Sequence, residues 1–238
     1  MGLFSDKITV RESGLLDGFW DCHCHLLPGV DDGVKEMDET LMILEEWELA
    51  GMREVWMTPH IMEDIPNMPE DLKKRFERVK ACYKGHIKLR LAAEHMMDGP
   101  FVKRLEEGSV MPFGPEGTGL LVETSYYTPP MNMGMLVDSI KRKGYDVILA
   151  HPERYQYMDT KDYRLWKEKG VLMQLNVPAL TGAYGPEVQK KAEWLLKENM
   201  YDYCGTDTHS ITQMDFFMNG VISKKRVKMI KRLLTAKP

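Results

Sequence analysis

Short apolar runs alternate along this chain with segments of helical period, and that alternation leaves few folds open. The strand candidates are Phe19–His23, Glu54–Thr58, Ile87–Ala93, Leu120–Thr124, Asp146–Ala150, Val171–Leu175 and Tyr203–Gly205. Several are apolar on both faces, as strands of a buried parallel sheet are. Between them, Met37, Leu41, Leu44 and Trp47 recur at helical spacing ahead of Gly51, and Leu72, Phe76, Val79 and Cys82 do so after Pro69. Leu136, Val137 and Ile140 precede Gly144, while Val188, Ala192 and Leu195 follow Pro186. Repeated β and α units of this length imply a parallel sheet covered by helices. Seven strands fit a closed or nearly closed barrel at least as well as a doubly wound sheet. No Gly-x-Gly-x-x-Gly follows the first strand to favour a dinucleotide-binding fold.

The bulk properties remove whole classes of function. The chain has 238 residues, 43% of them hydrophobic, enough for one sizeable core. Its net charge of −4, with both signs mixed along the sequence, gives no footprint for nucleic acid or an anionic membrane. No run of about 18 apolar residues exists to span or insert into a bilayer. Met1 to Arg11 lacks the apolar core of a signal peptide. Cys22, Cys24, Cys82 and Cys204 show no disulfide-framework spacing, so a reducing, cytoplasmic setting is expected. Residues 1–17 are expected to form an N-terminal arm, residues 18–238 a single domain, and Lys224–Lys237 a terminal basic helix whose charges face solvent.

Polar, metal-competent residues stand at the C-terminal ends of most strand candidates. The first run leads into Asp21-Cys22-His23-Cys24-His25, the second into Thr58-Pro59-His60, and the third into Glu94. The fourth reaches Glu123, the fifth His151, and the last Asp207-Thr208-His209. Barrel active sites are assembled at that end, from several strands. Strand alternation places Asp21, His23 and His25 on one face, with the imidazoles about 7 Å apart, and turns Cys22 and Cys24 to the other. The Cys-His-Cys-His string is therefore not read as a zinc finger. Histidine and carboxylate donors without thiolate suit zinc, manganese or iron.

These residues resemble a known family. His23-Cys24-His25, Thr58-Pro59-His60, His151-Pro152-Glu153-Arg154 and Asp207-Thr208-His209 look like the PHP (polymerase and histidinol phosphatase) superfamily. Within it, His25-Leu26-Leu27-Pro28-Gly29-Val30-Asp31-Asp32-Gly33 and His-Pro-Glu-Arg-Tyr resemble the bacterial manganese-dependent protein-tyrosine phosphatases of capsule and exopolysaccharide systems. The resemblance runs from Phe19 to about His209 and implies a distorted (β/α)7 barrel, an α/β fold, with three divalent ions. By that resemblance His23, His25, Glu94 and Asp207 hold the first ion, and Glu94, Glu123 and His151 the second. Asp32, His60 and His209 hold the third; alternation in a loop does not itself choose between Asp31 and Asp32. The metal implied is manganese, with iron or zinc compatible with the same donors.

The activity implied is hydrolysis of phosphotyrosine by metal-activated hydroxide, on a protein such as a membrane-associated tyrosine kinase. Glu94 and Asp207 would serve the catalytic ions, and Arg154 would present a planar fork of donors to the phosphoryl group. An ion pair with Glu153 or another surface acid is the competing role for Arg154. A small-molecule phosphoesterase, acting on histidinol phosphate or a nucleotide, uses the same metals. A regulator that binds phosphotyrosine without hydrolysis is the reading from another class. Thiol-dependent phosphatases need an arginine six residues beyond the cysteine, where this chain has Pro28, Val30, Lys88 and Ser210. Tyr126, Tyr127, Tyr184 and several methionines are expected to rim the barrel mouth. The additional arginine that the family pattern carries after Asp-x-His is missing from Ile211–Asp215.

Overall fold

The protein is described by a computed structural model covering residues 6–114 and 116–235. In chain order the strands are β1 (Lys7–Thr9), β2 (Trp20–Cys24), β3 (Glu54–Met57), β4 (His60–Ile61), β5 (Lys88–Leu91) and β6 (Glu94–Met96). They continue with β7 (Gly119–Glu123), β8 (Asp146–Ala150), β9 (Leu172–Asn176), β10 (Tyr203–Gly205) and β11 (Val221–Ser223). The helices are α1 (Met37–Leu49), α2 (Pro69–Cys82), α3 (Phe101–Glu106), α4 (Met133–Arg142), α5 (Thr160–Glu168), α6 (Pro186–Lys197), α7 (Ile211–Asn219) and α8 (Lys224–Thr235).

Two parallel sheets, β2-β3-β5 and β10-β9-β8-β7-β6-β4, divide the strands. β3 and β4 are one strand line broken at Thr58-Pro59, where proline has no N–H for the ladder. β5 and β6 are likewise one line, broken at Ala92-Ala93. Across the break His60 stays in register with Glu94, so both reach the same depth. β10 returns to β2 through a parallel bridge between Thr208 and Cys24, supported by His25 N–H donating to the Thr208 carbonyl and Asp207 N–H to that of His23. The strand lines thus run round in barrel order, as the alternating pattern predicts.

The interior is filled in two layers. A small cluster of Cys22, Trp56, Ala92, Phe113, Leu121, Ile148 and Ala150 packs between the strands. Phe113 stacks on Trp20 with ring centroids 6.1 Å apart and meets Tyr203 edge-on at 5.4 Å. Outside the strands, the alternate residues Val55, Leu120, Val122, Val147 and Leu149 join the helices in the main core, where Ile43, Leu44 and Trp47 of α1 are fully buried.

Strict alternation fails in β2. The pairing with β3 shifts register between Asp21 and Cys24, as a bulge does. Cys22 therefore packs in the small inner cluster while Cys24 joins the main core. Asp21 does not accompany the histidines: its carboxylate accepts from Thr206 Oγ1 (2.6 Å) and Thr206 N–H (2.9 Å). Burial pushes the thiols of Cys22 and Cys24 well above the ordinary range, so neither is a nucleophile at neutral pH.

The described part of the N-terminal segment packs on the domain. β1 pairs antiparallel with β11, and Leu15 and Leu16 are buried. Residues 1–5 and 236–238 lie outside the described residues. Among the described residues no helix is long and apolar enough to cross a membrane.

Candidate active site

The strand ends bring the predicted donors to one place. Four groups of side chains each hold ligand atoms within 4.8 Å of one another: His23/His25/Asp207, His23/Glu94/His151, His60/Glu94/Glu123 and His25/Asp32/His60/His209. Glu94 sits at the junction. Its Oε2 lies 3.2 Å from His23 Nε2, 3.4 Å from His25 Nε2 and 3.2 Å from His60 Nδ1, and its Oε1 is 3.0 Å from His151 Nε2. Asp207 Oδ1 stands 3.5 Å from His23 Nε2 and 3.4 Å from His25 Nε2. Glu123 reaches both His60 (3.1 Å) and, at 3.8 Å, His151. Asp32, on the exposed rim, is 3.4 Å from His60 Nε2 and 3.5 Å from His209 Nε2. His60 thus faces Glu94 and Glu123 with one nitrogen and Asp32 with the other.

The neighbours of these donors fix their tautomers. His25 Nδ1 contacts Asp31 Oδ2 at 2.8 Å, and His23 Nδ1 contacts Gln174 Oε1 at 2.8 Å. In the neutral rings a proton on each Nδ1 leaves both Nε2 atoms with lone pairs toward the centre, the form that an ion would bind. Asp31 also accepts from the N–H groups of Gly33 and His60. The adjacent aspartates have therefore divided the work: Asp32 faces the donor group and Asp31 holds His25. His151 and Asp207 both adopt positive φ (33° and 52°), a costly conformation for residues with a β-carbon, and one concentrated at functional sites.

The charge balance fits a cation. Burial lowers the pKa of His23, yet Glu94 and Asp207 beside it more than offset this and hold it at about 9. Burial raises Glu94 and Asp207, but the surrounding imidazoles keep both carboxyls well below their usual range. His60 Nδ1, Glu94 Oε2 and Glu123 Oε1 are buried with no hydrogen-bond partner, although the last lies 3.1 Å from His60 Nδ1. Buried donors left unpartnered cost stability unless an ion occupies them.

Arg154 pairs with a donor of the centre rather than with Glu153. Its Nη1 donates to Asp207 Oδ2 at 2.7 Å, and its guanidinium lies between the rings of Tyr126 (4.3 Å) and Tyr184 (4.6 Å). Asn176 Nδ2 donates to the same Asp207 oxygen at 2.9 Å and to Tyr184 Oη at 3.0 Å. Glu153 turns inward, accepting from Asn176 N–H and Tyr201 Oη. Burial raises its carboxyl to about 7. The folded chain then holds this proton to higher pH than the unfolded chain, so stability falls as pH rises from about 4.5 to about 7. Glu153→Gln is expected to remove that slope, a change of about 3 kcal/mol across the window. Urea unfolding of both proteins at several pH values reads it, and an unaltered slope in the variant contradicts the assignment.

Residues 19–234 match the family model described as capsular polysaccharide synthesis, CpsB/CapC. The chain belongs to the CpsB/CapC family. It is 24% identical to the tyrosine-protein phosphatase YwqE of Bacillus subtilis over 202 residues, covering 82% of this chain and 79% of YwqE. To CpsB of Streptococcus pneumoniae it is 24% identical over 233 residues, covering 92% and 96%. The solved structures of YwqE and CpsB, described as metal-dependent tyrosine phosphatases, include a chain that superposes with TM-score 0.72 at 20% identity, covering 92% of this chain and 87% of that one.

Gly205 shows how tightly this CpsB/CapC centre is packed. A β-carbon there would lie 2.6 Å from His23 Cβ and 2.9 Å from its backbone nitrogen. Gly205→Ala is expected to displace His23 and to lower stability by about 1–3 kcal/mol. Thermal unfolding and metal content check this; wild-type values for both would contradict it. The remaining histidines and Asp98 lie outside the four donor groups. His95 is buried on the far side of β6, accepting from Met111 N–H, and burial lowers it to about 3. Asp98 ties a loop by accepting from Glu63 N–H and Arg104. His86 and Tyr127 are exposed. Gln174 and Asn176 were not legible from sequence; their one signal is polarity at alternate positions of an otherwise apolar strand.

Proposed function

We propose that this chain is a metal-dependent protein-tyrosine phosphatase. The observation that carries the reading is the convergence of nine histidine and carboxylate side chains from strand ends, with Arg154 docked on one of them. The names of its CpsB/CapC relatives support the same reaction. His23, His25, Glu94 and Asp207 would hold one divalent ion, and Glu94, Glu123 and His151 a second. Asp32, His60 and His209 would hold a third, with manganese the expected metal. Bound there, such ions acidify water and offset the charge of a phosphate dianion. Arg154 turns its remaining donors to the phosphoryl oxygens, and the two flanking tyrosines prevent it from folding away. The phenolate of tyrosine, with a pKa near 10, leaves without a strong acid beside it.

The natural substrate in this reading is a phosphotyrosine protein of a capsule or exopolysaccharide system, a tyrosine kinase included. We place the reaction in the cytoplasm, where four free cysteines remain thiols. Manganese-loaded protein is expected to release phosphate from a phosphotyrosine peptide and to stop when a chelator is added. Faster turnover of histidinol phosphate or a nucleotide would move the substrate to a small molecule. Peptide binding without turnover would make the chain a regulator.

A further inference from the structure

A cleft of about 260 Å³ opens beside the centre, between the loop before α6 and the first turns of α7. Ala183, Tyr184, Thr208, Thr212, Phe216 and Phe217 line it, and none of its lining residues is charged. Several of its polar side chains are already tied to other protein groups. Thr208 Oγ1 donates to Thr206 Oγ1, which donates to Asp21, and Tyr184 Oη accepts from Asn176. Gln213, also on its wall, accepts from the backbone N–H of His209. Apart from Thr212 and the amide nitrogen of Gln213, what remains to meet a ligand is mainly apolar, and Phe216 stands 61% exposed at the edge. Such a surface recognises an apolar or aromatic group and disfavours a charged one.

The cleft is continuous with the active site. Tyr184 is a wall of the cleft and also stacks on Arg154, and α7 begins two residues after His209. Thr206 and Thr208 bracket Asp207 in the chain, and the Thr206 hydroxyl is directed to Asp21 rather than to the centre. A phosphate held at Arg154 lies beside Tyr184, the residue that also walls the cleft. A residue next to the phosphotyrosine, one step of about 3.5 Å or two along an extended peptide, reaches the cleft.

Resting on the phosphatase reading, we infer that this cleft is a subsite for an apolar or aromatic side chain flanking the phosphotyrosine of a polypeptide substrate. The test is a panel of phosphotyrosine peptides carrying Phe, Leu, Ala or Glu at each of the two positions on either side, assayed with the manganese-loaded protein. At one position kcat/KM is expected to favour Phe or Leu over Glu by about 10-fold or more, the discrimination an apolar pocket gives. Thr212→Trp, an exposed position at the cleft mouth, is expected to abolish that preference, and Phe216→Ala to weaken it. A wild-type enzyme that turns over every peptide equally overturns the subsite and leaves the phosphatase reading standing. So does a preference that survives in both variants. Absence of any phosphotyrosine hydrolysis removes the phosphatase reading, and this subsite with it.

Discussion

Glu94→Ala is expected to lower kcat by about 10³-fold or more and to reduce the metal content of the purified protein. One carboxylate here lies within 3.4 Å of four imidazoles, one from β2, one just after it, one from β4 and one following β8. Glu94 belongs to two of the donor groups and would serve the ion of each, so truncation weakens both together. A metal ion contributes several kcal/mol of charge stabilisation in a hydrolytic transition state, and each 1.36 kcal/mol is a factor of ten in rate. Glu94→Gln keeps the shape and one neutral oxygen donor, so its residual activity separates charge from contact. Elemental analysis alongside a phosphotyrosine assay decides the matter. Near-normal metal content and rate in the alanine variant would rule out a shared ligand.

Arg154→Ala is expected to cost about 10²–10³-fold in kcat/KM while leaving most of the metal in place, because the arginine touches the centre only through Asp207. Arg154→Lys should recover little. An ammonium keeps the charge but lacks the planar fork, and it offers no planar face to Tyr126 and Tyr184, whose rings flank the guanidinium. A lysine variant with wild-type kcat/KM would reduce the residue to a counter-charge for Asp207. Metal content falling in step with activity would instead make it a structural prop of the site.

Most of the barrel and most of the site are legible in the sequence because both rest on the same pattern. An apolar run followed by a histidine or carboxylate marks a strand and its metal-competent end at once, as for Glu123 after Leu120–Val122 or His151 after Val147–Ala150. The failures have local causes. β4 and β6 are only two and three residues long, too short for periodicity to register, and the breaks before them involve a proline and a pair of alanines. The bulge in β2 shifts the phase of alternation, so the rule that should have aligned Asp21 with His23 separates them. Side chains that act by orienting another, such as Gln174 on His23, have no spacing signature. Their partners are far away in sequence: the two are 151 residues apart.

The seam between β2 and β10 has a consequence for biosynthesis. Asp21 and Thr206, hydrogen-bonded across it, are 185 positions apart, and His23 and Asp207 face each other there. Contacts of such long range form late, since closing so long a loop costs conformational entropy before the contact rewards it. A nascent chain therefore emerges from the ribosome with His23, His25, His60, Glu94, Glu123 and His151 long before the residues that complete the first donor group. Competence arrives all at once, with the last strand of the barrel, and a prematurely ended product that stops short of Asp207 carries a partial ligand set but no seam to hold it.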